Sequence, residues 1–362
     1  MQNKIPTSTA LLLLLCGFAS GQGVWTQKAN FGGNPRCGAT GFSIGNKGYV
    51  GLGFDSNTYF QDFWEYDPST NTWTQKANFG GAPRWESAGF SIGTKGYIGT
   101  GSDQMGFYQD FWEYDQVTNA WIQKANFGGT ARMDATGFSI GAKGYIGLGE
   151  VGASSYQDFW EYDPNTDSWT QKANFGGGNM AIAAGFSIGT KGYIGTGLTY
   201  PNYHQDFWEY DPNTDAWTQK ANFGGTSRAE STGFSIGKFG YIGIGTTNIP
   251  INSVSDFWKY NSSTNTWTQK ANFGNGVREL ATGFSIECRA YVGTGWINDA
   301  NVKNDFWEYS PDTCDLLGIN EINIENLVSI YPNPFSIETT LKIKNNFKNA
   351  ILTIYNSSGQ QG

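Results

Sequence analysis

Residues 62–78 read Asp-Phe-Trp-Glu-Tyr-Asp-Pro-Ser-Thr-Asn-Thr-Trp-Thr-Gln-Lys-Ala-Asn, and closely similar segments recur along the chain. The motif Asp-Phe-Trp starts six times, 48 to 50 residues apart, at Asp62, Asp110, Asp158, Asp206, Asp256 and Asp305. A second motif, Gly-Phe-Ser-Ile, also starts six times, at Gly41, Gly89, Gly137, Gly185, Gly233 and Gly283. Self-similarity at a fixed period predicts one structural unit repeated six times, and these are numbered units 1 to 6.

Each unit has the pattern of four short strands joined by tight turns. In unit 1 we expect strands near residues 39–44, 47–53, 62–67 and 73–78. The turn-forming segments 46–48 and 67–71 lie between the first and the last pair of strands. The third strand carries bulky groups on both faces, with Phe63 on one and Trp64 and Tyr66 on the other. A sheet that is apolar on both faces packs between two others, as the blades of a β-propeller do.

The two ends of the repeated region complement each other. The motif Trp-Thr-Gln-Lys at Trp25 precedes any first strand, whereas Leu316 stands where the last unit should have its tryptophan. The N-terminal strand can therefore complete the sixth sheet and cover its open edge. The sequence predicts an all-β fold, a six-bladed β-propeller over residues 22–316 that is closed by its N-terminal strand.

The repeats resemble those of the kelch family. The resemblance rests on a Tyr and a Trp that are separated by six intervening residues after a Gly-containing second strand, as Tyr66 and Trp73 are, with Gly51-Leu52-Gly53 in place of the family's paired glycines. The pairs are Tyr66/Trp73, Tyr114/Trp121, Tyr162/Trp169, Tyr210/Trp217 and Tyr260/Trp267. The resemblance implies a kelch-type propeller.

Both ends of the chain carry segments typical of export. Residues 1–21 combine Lys4, an apolar run and the small residues Ala19-Ser20-Gly21, which predicts a secretory signal peptide. Residues 317–328 are interpreted as a linker. Residues 329–362 contain Tyr331-Pro332-Asn333-Pro334 and resemble a shortened C-terminal sorting domain of the type IX secretion system. That resemblance implies a short β-sandwich-like segment, the type IX export machinery as a partner, and a location outside the cell or on its outer surface.

The composition of the chain restricts the classes of partner and cofactor that we expect it to bind. The formal net charge is −8 and no Lys/Arg-rich run occurs, so nucleic acid is not an expected partner. No apolar stretch is long enough to span a membrane. The single histidine, His204, excludes a copper site with two histidine ligands and makes a multi-histidine zinc site a poor fit, so no cofactor or metal is expected.

Arginines recur five residues before the glycine of Gly-Phe-Ser-Ile, except in unit 4, which has Met180. They are Arg36, Arg84, Arg132, Arg228 and Arg278. Two residues after three of them stand Glu86, Asp134 and Glu230. One interpretation is a polar mouth that binds an anionic or sugar ligand through guanidinium groups. The other is structural, with the arginines bonding nearby carbonyls and pairing with those acids. The aspartates of Asp-Phe-Trp are interpreted as structural, because each unit has one.

The loops between the second and third strands vary most between units. They span 54–61, 102–109, 150–157, 198–205, 246–255 and 296–304. Several carry aromatic residues that suit sugar or protein surfaces, and the candidate contacts are Tyr59, Tyr108, Tyr156, Tyr203 and Trp296. Unselected drift in these loops is the alternative interpretation.

Four cysteines occur, and Cys16 lies in the predicted signal peptide. Cys288 and Cys314 fall in the two turns on the same edge of unit 6, so we expect a disulfide between them and a free, buried Cys37.

These observations favour a secreted or surface binding module, without catalysis, that recognises a glycan or protein through the loop face. One alternative is a metal-independent sugar-processing enzyme of the sialic acid mutarotase type, which would use the arginines and carboxylates. A purely structural or adhesive surface protein is the other.

Overall fold

The computed structural model describes residues 21–248, 251–297, 301–312, 328–331 and 340–343. Their secondary structure is entirely β-strand, turn and irregular segment. The chain divides into two compact units, residues 1–317 and 318–362. The predicted signal peptide up to residue 20 and most of the tail lie outside the described residues.

Six four-stranded antiparallel sheets, numbered 1 to 6 after the units, make up the first compact unit. The N-terminal strand is β1 (Val24–Gln27). Sheet 1 contains β2 (Thr40–Ile44), β3 (Lys47–Gly51), β4 (Phe63–Asp67) and β5 (Thr72–Gln75). Sheet 2 contains β6 (Ala88–Ile92), β7 (Lys95–Gly99), β10 (Phe111–Asp115) and β11 (Ala120–Lys124), and its loop forms β8 (Ser102–Asp103) and β9 (Gly106–Phe107). Sheet 3 contains β12 (Thr136–Ile140), β13 (Lys143–Gly147), β16 (Phe159–Asp163) and β17 (Ser168–Lys172), with loop strands β14 (Glu150–Val151) and β15 (Ser154–Ser155).

The remaining sheets follow the same order. Sheet 4 contains β18 (Ala184–Ile188), β19 (Lys191–Gly195), β22 (Phe207–Asp211) and β23 (Ala216–Gln219), with loop strands β20 (Leu198–Thr199) and β21 (Asn202–Tyr203). Sheet 5 contains β25 (Thr232–Ile236), β26 (Phe239–Gly243), β29 (Phe257–Asn261) and β30 (Thr266–Lys270), beside the small sheet β24 (Arg228–Ala229), β27 (Thr246–Asn248) and β28 (Ile251–Ser253). Sheet 6 contains β31 (Thr282–Ile286), β32 (Arg289–Gly293), β33 (Phe306–Ser310) and, as its fourth strand, β1.

Solvent exposure differs between the inner and outer strands of each sheet, as sheet 1 illustrates. In sheet 1, β2 alternates buried and half-buried residues, whereas four of the five residues of β3 are buried. The fourth strand, β5, is mostly exposed apart from Trp73. The first and second strands therefore lie inside the molecule and the fourth at its rim. The all-β fold and the four-stranded antiparallel sheets predicted from the repeats are confirmed, although β5 ends at Gln75, three residues earlier than expected.

The glycine of Gly-Phe-Ser-Ile allows neighbouring first strands to approach closely. A Cβ built on Gly185 would lie 2.2 Å from Cγ2 of Thr136 in the adjacent sheet, closer than such atoms can come. The same clash recurs at Gly89 with Thr40 at 2.3 Å and at Gly283 with Thr232 at 2.4 Å. A side chain at these three positions would force the sheets apart, and at Gly137 and Gly233, which face alanine, a Cβ would lie 3.0 and 3.1 Å from the nearest atom.

Six hydrophobic clusters lie between neighbouring sheets. Each joins the phenylalanine of one Asp-Phe-Trp motif to the next unit's Tyr/Trp pair; the ring centroids of Phe63 lie 4.9 Å from Tyr114 and 5.0 Å from Trp121. The cluster between sheets 6 and 1 is built in the same way, because Phe306 lies 5.2 Å from Tyr66 and 4.9 Å from Trp73. Such aromatic contacts add to the apolar area that each interface buries.

The first and last units are also connected. Strand β1 pairs antiparallel with β33, with Trp25 opposite Tyr309. The first strands contact each other in the order β2, β6, β12, β18, β25 and β31, and β31 also contacts β2. A backbone bond from the glycine after each second strand to the next unit's chain follows the same order: Gly53 N donates to Arg84 O at 2.8 Å, and Gly295 N donates to Arg36 O at 2.7 Å.

The second compact unit has one described element. Strands β34 (Val328–Tyr331) and β35 (Thr340–Ile343) form an antiparallel pair, with Tyr331 opposite Thr340. The short β-sandwich-like segment expected for residues 329–362 is described only in these two strands, and the rest of it lies outside the described residues. The assignment to a sorting domain stays a prediction.

Replacing Trp25 tests whether the N-terminal strand is part of the fold. Its ring lies 5.0 Å from Phe257 and 5.1 Å from Phe273, and its Nε1 donates to the carbonyl of Ala271 at 3.1 Å. We expect Trp25→Ala to lower the free energy of unfolding by about 3 kcal/mol, measured by urea denaturation. The neighbouring Val24 is 63% exposed, so Val24→Ala should change it by less than about 0.5 kcal/mol. Equal effects of the two changes would contradict the pairing.

Candidate binding site

Six residues, one from each unit, form a ring just before the first strands: Gly38, Glu86, Asp134, Ile182, Glu230 and Leu280. The backbone N–H of each donates to the carbonyl of its predecessor at 2.9 to 3.4 Å, and Gly38 donates to Leu280. All six have φ between 49° and 60°, in the left-handed region. That conformation is costly for a β-branched residue such as Ile182, so the surrounding structure must impose it. The side chains of this axial ring are therefore held at fixed positions.

The axial ring surrounds a cavity of about 180 Å³. Small residues complete its lining: Ala39, Ser87, Ala135, Ala183, Ser231 and Ala281. A second cavity of about 200 Å³ is lined by the first strands, including Thr40, Ala88 and Thr136. The first strands and the residues just before them therefore line both cavities.

The charge of the cavity lining is negative. Glu86, Asp134 and Glu230 belong to it, together with the apolar residues Ile182 and Leu280. Glu86 and Asp134 hydrogen-bond to each other. Burial, together with the charges of neighbouring carboxylates, raises the pKa of Glu86 and of Asp134 well above the usual range. A carboxyl pair that shares a proton can both donate and accept hydrogen bonds.

The five arginines do not reach this cavity. Arg132 is fully buried, and its Nη1 and Nη2 bind Oδ1 and Oδ2 of Asp158 at 2.5 and 2.9 Å. Nη1 also donates to the carbonyl of Leu148 at 2.7 Å, and Nε donates to that of Thr130 at 2.9 Å. The bidentate pairs are Arg36–Asp62, Arg84–Asp110, Arg132–Asp158, Arg228–Asp256 and Arg278–Asp305.

This corrects two expectations about the arginines. The first placed them among the ligand contacts, but guanidinium groups that are at most 1% exposed offer no donors to a ligand. The structural alternative correctly had them bonding nearby carbonyls, as Arg132 does, but it paired them with Glu86, Asp134 and Glu230, whereas their acidic partners are the aspartates of the Asp-Phe-Trp motifs. Those aspartates also accept from the following tryptophan, as Asp158 does from Nε1 of Trp160 at 2.7 Å, which fits their predicted structural role.

A continuous aromatic strip lies near Glu86 and consists of Tyr59, Phe54, Trp85 and Trp296. Successive ring centroids are 4.5, 5.3 and 6.3 Å apart. All four side chains are partly exposed. Trp85 directly precedes Glu86 in the chain, so the strip adjoins the acidic cavity. Burial, followed by the charges of Asp103 and Glu86, raises the pKa of Tyr59. The strip and the axial ring together are the candidate site.

Two members of the strip, Tyr59 and Trp296, were predicted from the sequence as candidate ligand contacts. The other two, Phe54 and Trp85, were not. Trp85 is the one aromatic residue at its position in the six units, where the others have Cys37, Met133, Ala181, Ala229 and Glu279. Its approach depends on Gly38, since a Cβ there would lie 3.2 Å from Cε3 of Trp85. That contrast between units is the signal that would have found it.

The other three predicted aromatic contacts are placed differently. The rings of Tyr108 and Tyr156 cover the guanidinium groups of Arg84 and Arg132 at 3.7 and 4.1 Å. Burial and a 2.6 Å hydrogen bond to Asp103 raise the pKa of Tyr108 to about 12. Both tyrosines therefore support the arginines and are removed from the candidate site. Tyr203 lies in β21, in the loop of unit 4.

Unit 4 has Met180 in place of the arginine. His204 contacts the aspartate that the other units pair with an arginine. His204 Nδ1 lies 3.5 Å from Oδ1 of Asp206, the aspartate that Met180 leaves without a guanidinium partner. The histidine side chain is 27% exposed and contacts this structural aspartate.

The cysteines agree in part with expectation. Cys37 is free and buried, and burial raises its pKa far above the usual range. Cys288 is disulfide-bonded. Its predicted partner, Cys314, lies outside the described residues, so the pairing stays a prediction.

Comparison with known families identifies the repeat. Residues 35–80 match the kelch motif. No curated protein matches the chain. The motif and the four-stranded antiparallel sheets together support a kelch-repeat β-propeller, and kelch repeats suggest a protein-binding function.

Among the described residues, no group of three or more His, Cys, Asp or Glu side chains is arranged to hold a metal ion. Within the same ranges, no helix is long and apolar enough to cross a membrane.

The buried arginines should contribute to stability and not to binding. We expect Arg132→Met to lower the free energy of unfolding by about 3 kcal/mol in urea denaturation, because it leaves the Asp158 carboxylate buried without its cation. Arg289 is 52% exposed and pairs with Glu308, so Arg289→Met should cost less than about 1 kcal/mol. An Arg132→Met variant as stable as Arg289→Met would contradict the structural role.

Proposed function

We propose that the chain is a secreted or cell-surface binding protein, a closed six-bladed propeller that binds a carbohydrate at the mouth of its axial cavity without catalysis. The closed arrangement is supported by the axial ring of six hydrogen bonds and by the pairing of β1 with β33. The predicted signal peptide and the resemblance of residues 329–362 to a type IX sorting segment support export.

The observation that carries the carbohydrate proposal is the aromatic strip beside a carboxyl-lined cavity. Aromatic faces carry partial negative charge and offer flat apolar area, which suits the C–H faces of sugar rings. Glu86, Asp134 and Glu230 supply hydrogen-bonding groups for hydroxyls. Apolar walls with a few polar groups that fix orientation are typical of small-ligand sites.

The acidic lining further restricts the ligand. The arginine charges are neutralised inside the sheets, so no described guanidinium lines the cavity. An anionic sugar such as sialic acid would meet carboxyl groups of its own sign, which disfavours it. Neutral sugars or those with a protonated amine fit better.

The hydrogen-bonded Glu86–Asp134 pair favours one second candidate, a metal-independent sugar-processing enzyme. Two carboxyl groups with raised pKa can exchange a proton with a bound substrate. In this alternative the arginines that the sequence nominated take no part, because they are buried.

The test is a glycan-array screen of the mature chain, residues 22–362, followed by titration of any sugar that binds. Trp85→Ala combined with Trp296→Ala should weaken binding at least about tenfold, the loss expected for aromatic anchors. Val117→Ala is the matched control, because Val117 is 84% exposed in the turn between β10 and β11, at the opposite end of the strands from the loops.

Each outcome assigns a function. Binding that is lost in the tryptophan variant and retained in Val117→Ala supports the proposed site. Turnover of the bound sugar that disappears in Glu86→Gln would favour the enzyme. If the wild-type chain binds no glycan, the carbohydrate proposal is wrong, and a protein partner or a structural and adhesive role takes its place.

A further inference from the structure

The aromatic strip meets the axial ring at unit 1. Phe54 and Tyr59 lie in the loop of that unit. The two tryptophans come from the neighbouring units, Trp85 from unit 2 and Trp296 from unit 6. The ring member of unit 1 is Gly38, which is the one position of the ring without a side chain. At unit 1, therefore, no ring side chain separates the strip from the axial cavity, the space of about 180 Å³ inside the ring.

The absence of that side chain brings the strip against the ring itself. A Cβ built on Gly38 would lie 3.2 Å from Cε3 of Trp85 and 3.2 Å from Cγ of Glu86, so both side chains pack close to the bare backbone. The backbone conformation does not by itself require glycine, because the other five ring members carry side chains at a similar positive φ. The strip and the rim of the axial cavity therefore form one continuous surface at Gly38.

The strip is confined to one side of the axial cavity. In units 3 to 5 the positions that correspond to Trp85 hold non-aromatic residues, namely Met133, Ala181 and Ala229. The positions that correspond to Phe54 and Trp296 hold Glu150, Leu198 and Thr246. A ligand that extends out of the cavity therefore meets the strip in one direction, towards units 6, 1 and 2.

The backbone surrounds the axial cavity. Each ring N–H donates to the carbonyl of the preceding member at 2.9 to 3.4 Å, and Gly38 completes the circle by donating to Leu280. The second cavity shares six lining residues with the first, so the space continues inward along the axis. The shared residues are Ala39, Ser87, Ala135, Ala183, Ser231 and Ala281. A chain molecule cannot enter such a space sideways and must enter it by one of its ends.

The size of the axial cavity leads to the same conclusion. At about 180 Å³ it is smaller than the roughly 300 to 1,000 Å³ of sites that hold drug-sized ligands. It has room for a terminal sugar or a similarly small group, and a longer ligand must continue outside it. The four rings of the strip, whose successive centroids are 4.5, 5.3 and 6.3 Å apart, provide the adjoining surface.

We propose that the candidate site binds one end of a linear oligosaccharide, with the terminal sugar in the axial cavity and the following sugars on the aromatic strip. This inference rests on the proposed carbohydrate function and adds the shape of the ligand and its direction. The carboxyl groups of Glu86, Asp134 and Glu230 hydrogen-bond to the terminal sugar. The strip offers apolar area to the C–H faces of the sugars that follow.

Isothermal titration of the mature chain, residues 22–362, with two β-1,4-linked series tests this inference. Glucose oligomers are neutral and glucosamine oligomers carry protonated amines, the two kinds of sugar that the acidic lining admits. We expect at least one series to bind, with an affinity that rises at least about tenfold from two to four units, because further sugars reach the aromatic rings. Beyond the length of the strip the affinity should stay constant.

A hexamer of the binding series with bulky groups on both ends tests end-on entry without any change to the protein. Neither end of this compound fits the axial cavity, so its affinity should be at least about tenfold below that of the open hexamer. A doubly blocked hexamer that binds as tightly as the open one would show that the chain lies across the site, and it would overturn the proposal.

Two variants separate the cavity from the strip. Ile182→Trp enlarges a partly exposed ring side chain at unit 4 and should weaken binding of every length at least about tenfold. Val117→Trp introduces the same residue at an exposed turn and is the matched control. Trp85→Ala should instead remove most of the gain in affinity between two and four units. Equal losses at all lengths in Trp85→Ala, or full binding in Ile182→Trp, would contradict the proposal.

Failure of this inference differs from failure of the proposed function. If the glycan array finds no binding, the proposed function is wrong and this inference is wrong with it. If the array finds binding but neither linear series binds, or the doubly blocked hexamer keeps its affinity, the carbohydrate function stands and end-on binding is wrong.

Discussion

The close approach of neighbouring first strands is the constraint on which the rest of the structure depends. At Gly185 the adjacent Thr136 occupies the space where a Cβ would lie. Every sheet must fit two neighbours in this way, because both of its faces are covered. A change in one unit is therefore a change in two interfaces, which accounts for repeats that are nearly identical in their strands and differ mainly in their loops.

The same packing separates structural charges from those available to a ligand. The Arg–Asp pairs lie inside, with guanidinium groups sandwiched by aromatic rings such as Phe31 and Phe60 around Arg36. The axial ring leaves Glu86, Asp134 and Glu230 at the cavity. A chain with a net charge of −8 thus presents carboxyl groups where a ring of arginines was anticipated. This difference decides which class of ligand fits.

The fold was predictable from the sequence because it depends on recurrence and on spacing along the chain, both of which one sequence displays. The positions of individual side chains were harder to predict from the sequence. The spacing put Arg132 at the entry to a first strand, but it carried no information on whether the side chain points to the axis or back to Asp158, 26 residues later. Trp85 was overlooked because contacts between units, not its own segment, bring it to Trp296. The contact of His204 with Asp206 could be recognised only once Met180 was seen to leave that aspartate without an arginine.

Amide exchange at the six residues of the axial ring is the most direct test of the proposed closed arrangement. The Gly38 amide bonds to Leu280, near the opposite end of the propeller sequence, whereas the Glu86 amide bonds to the preceding unit. In a closed ring, Gly38 should exchange as slowly as Glu86, Asp134 and Ile182. If Gly38 exchanges at the rate of an exposed loop while the others are protected, the ring is open between sheets 6 and 1 and the central claim is wrong.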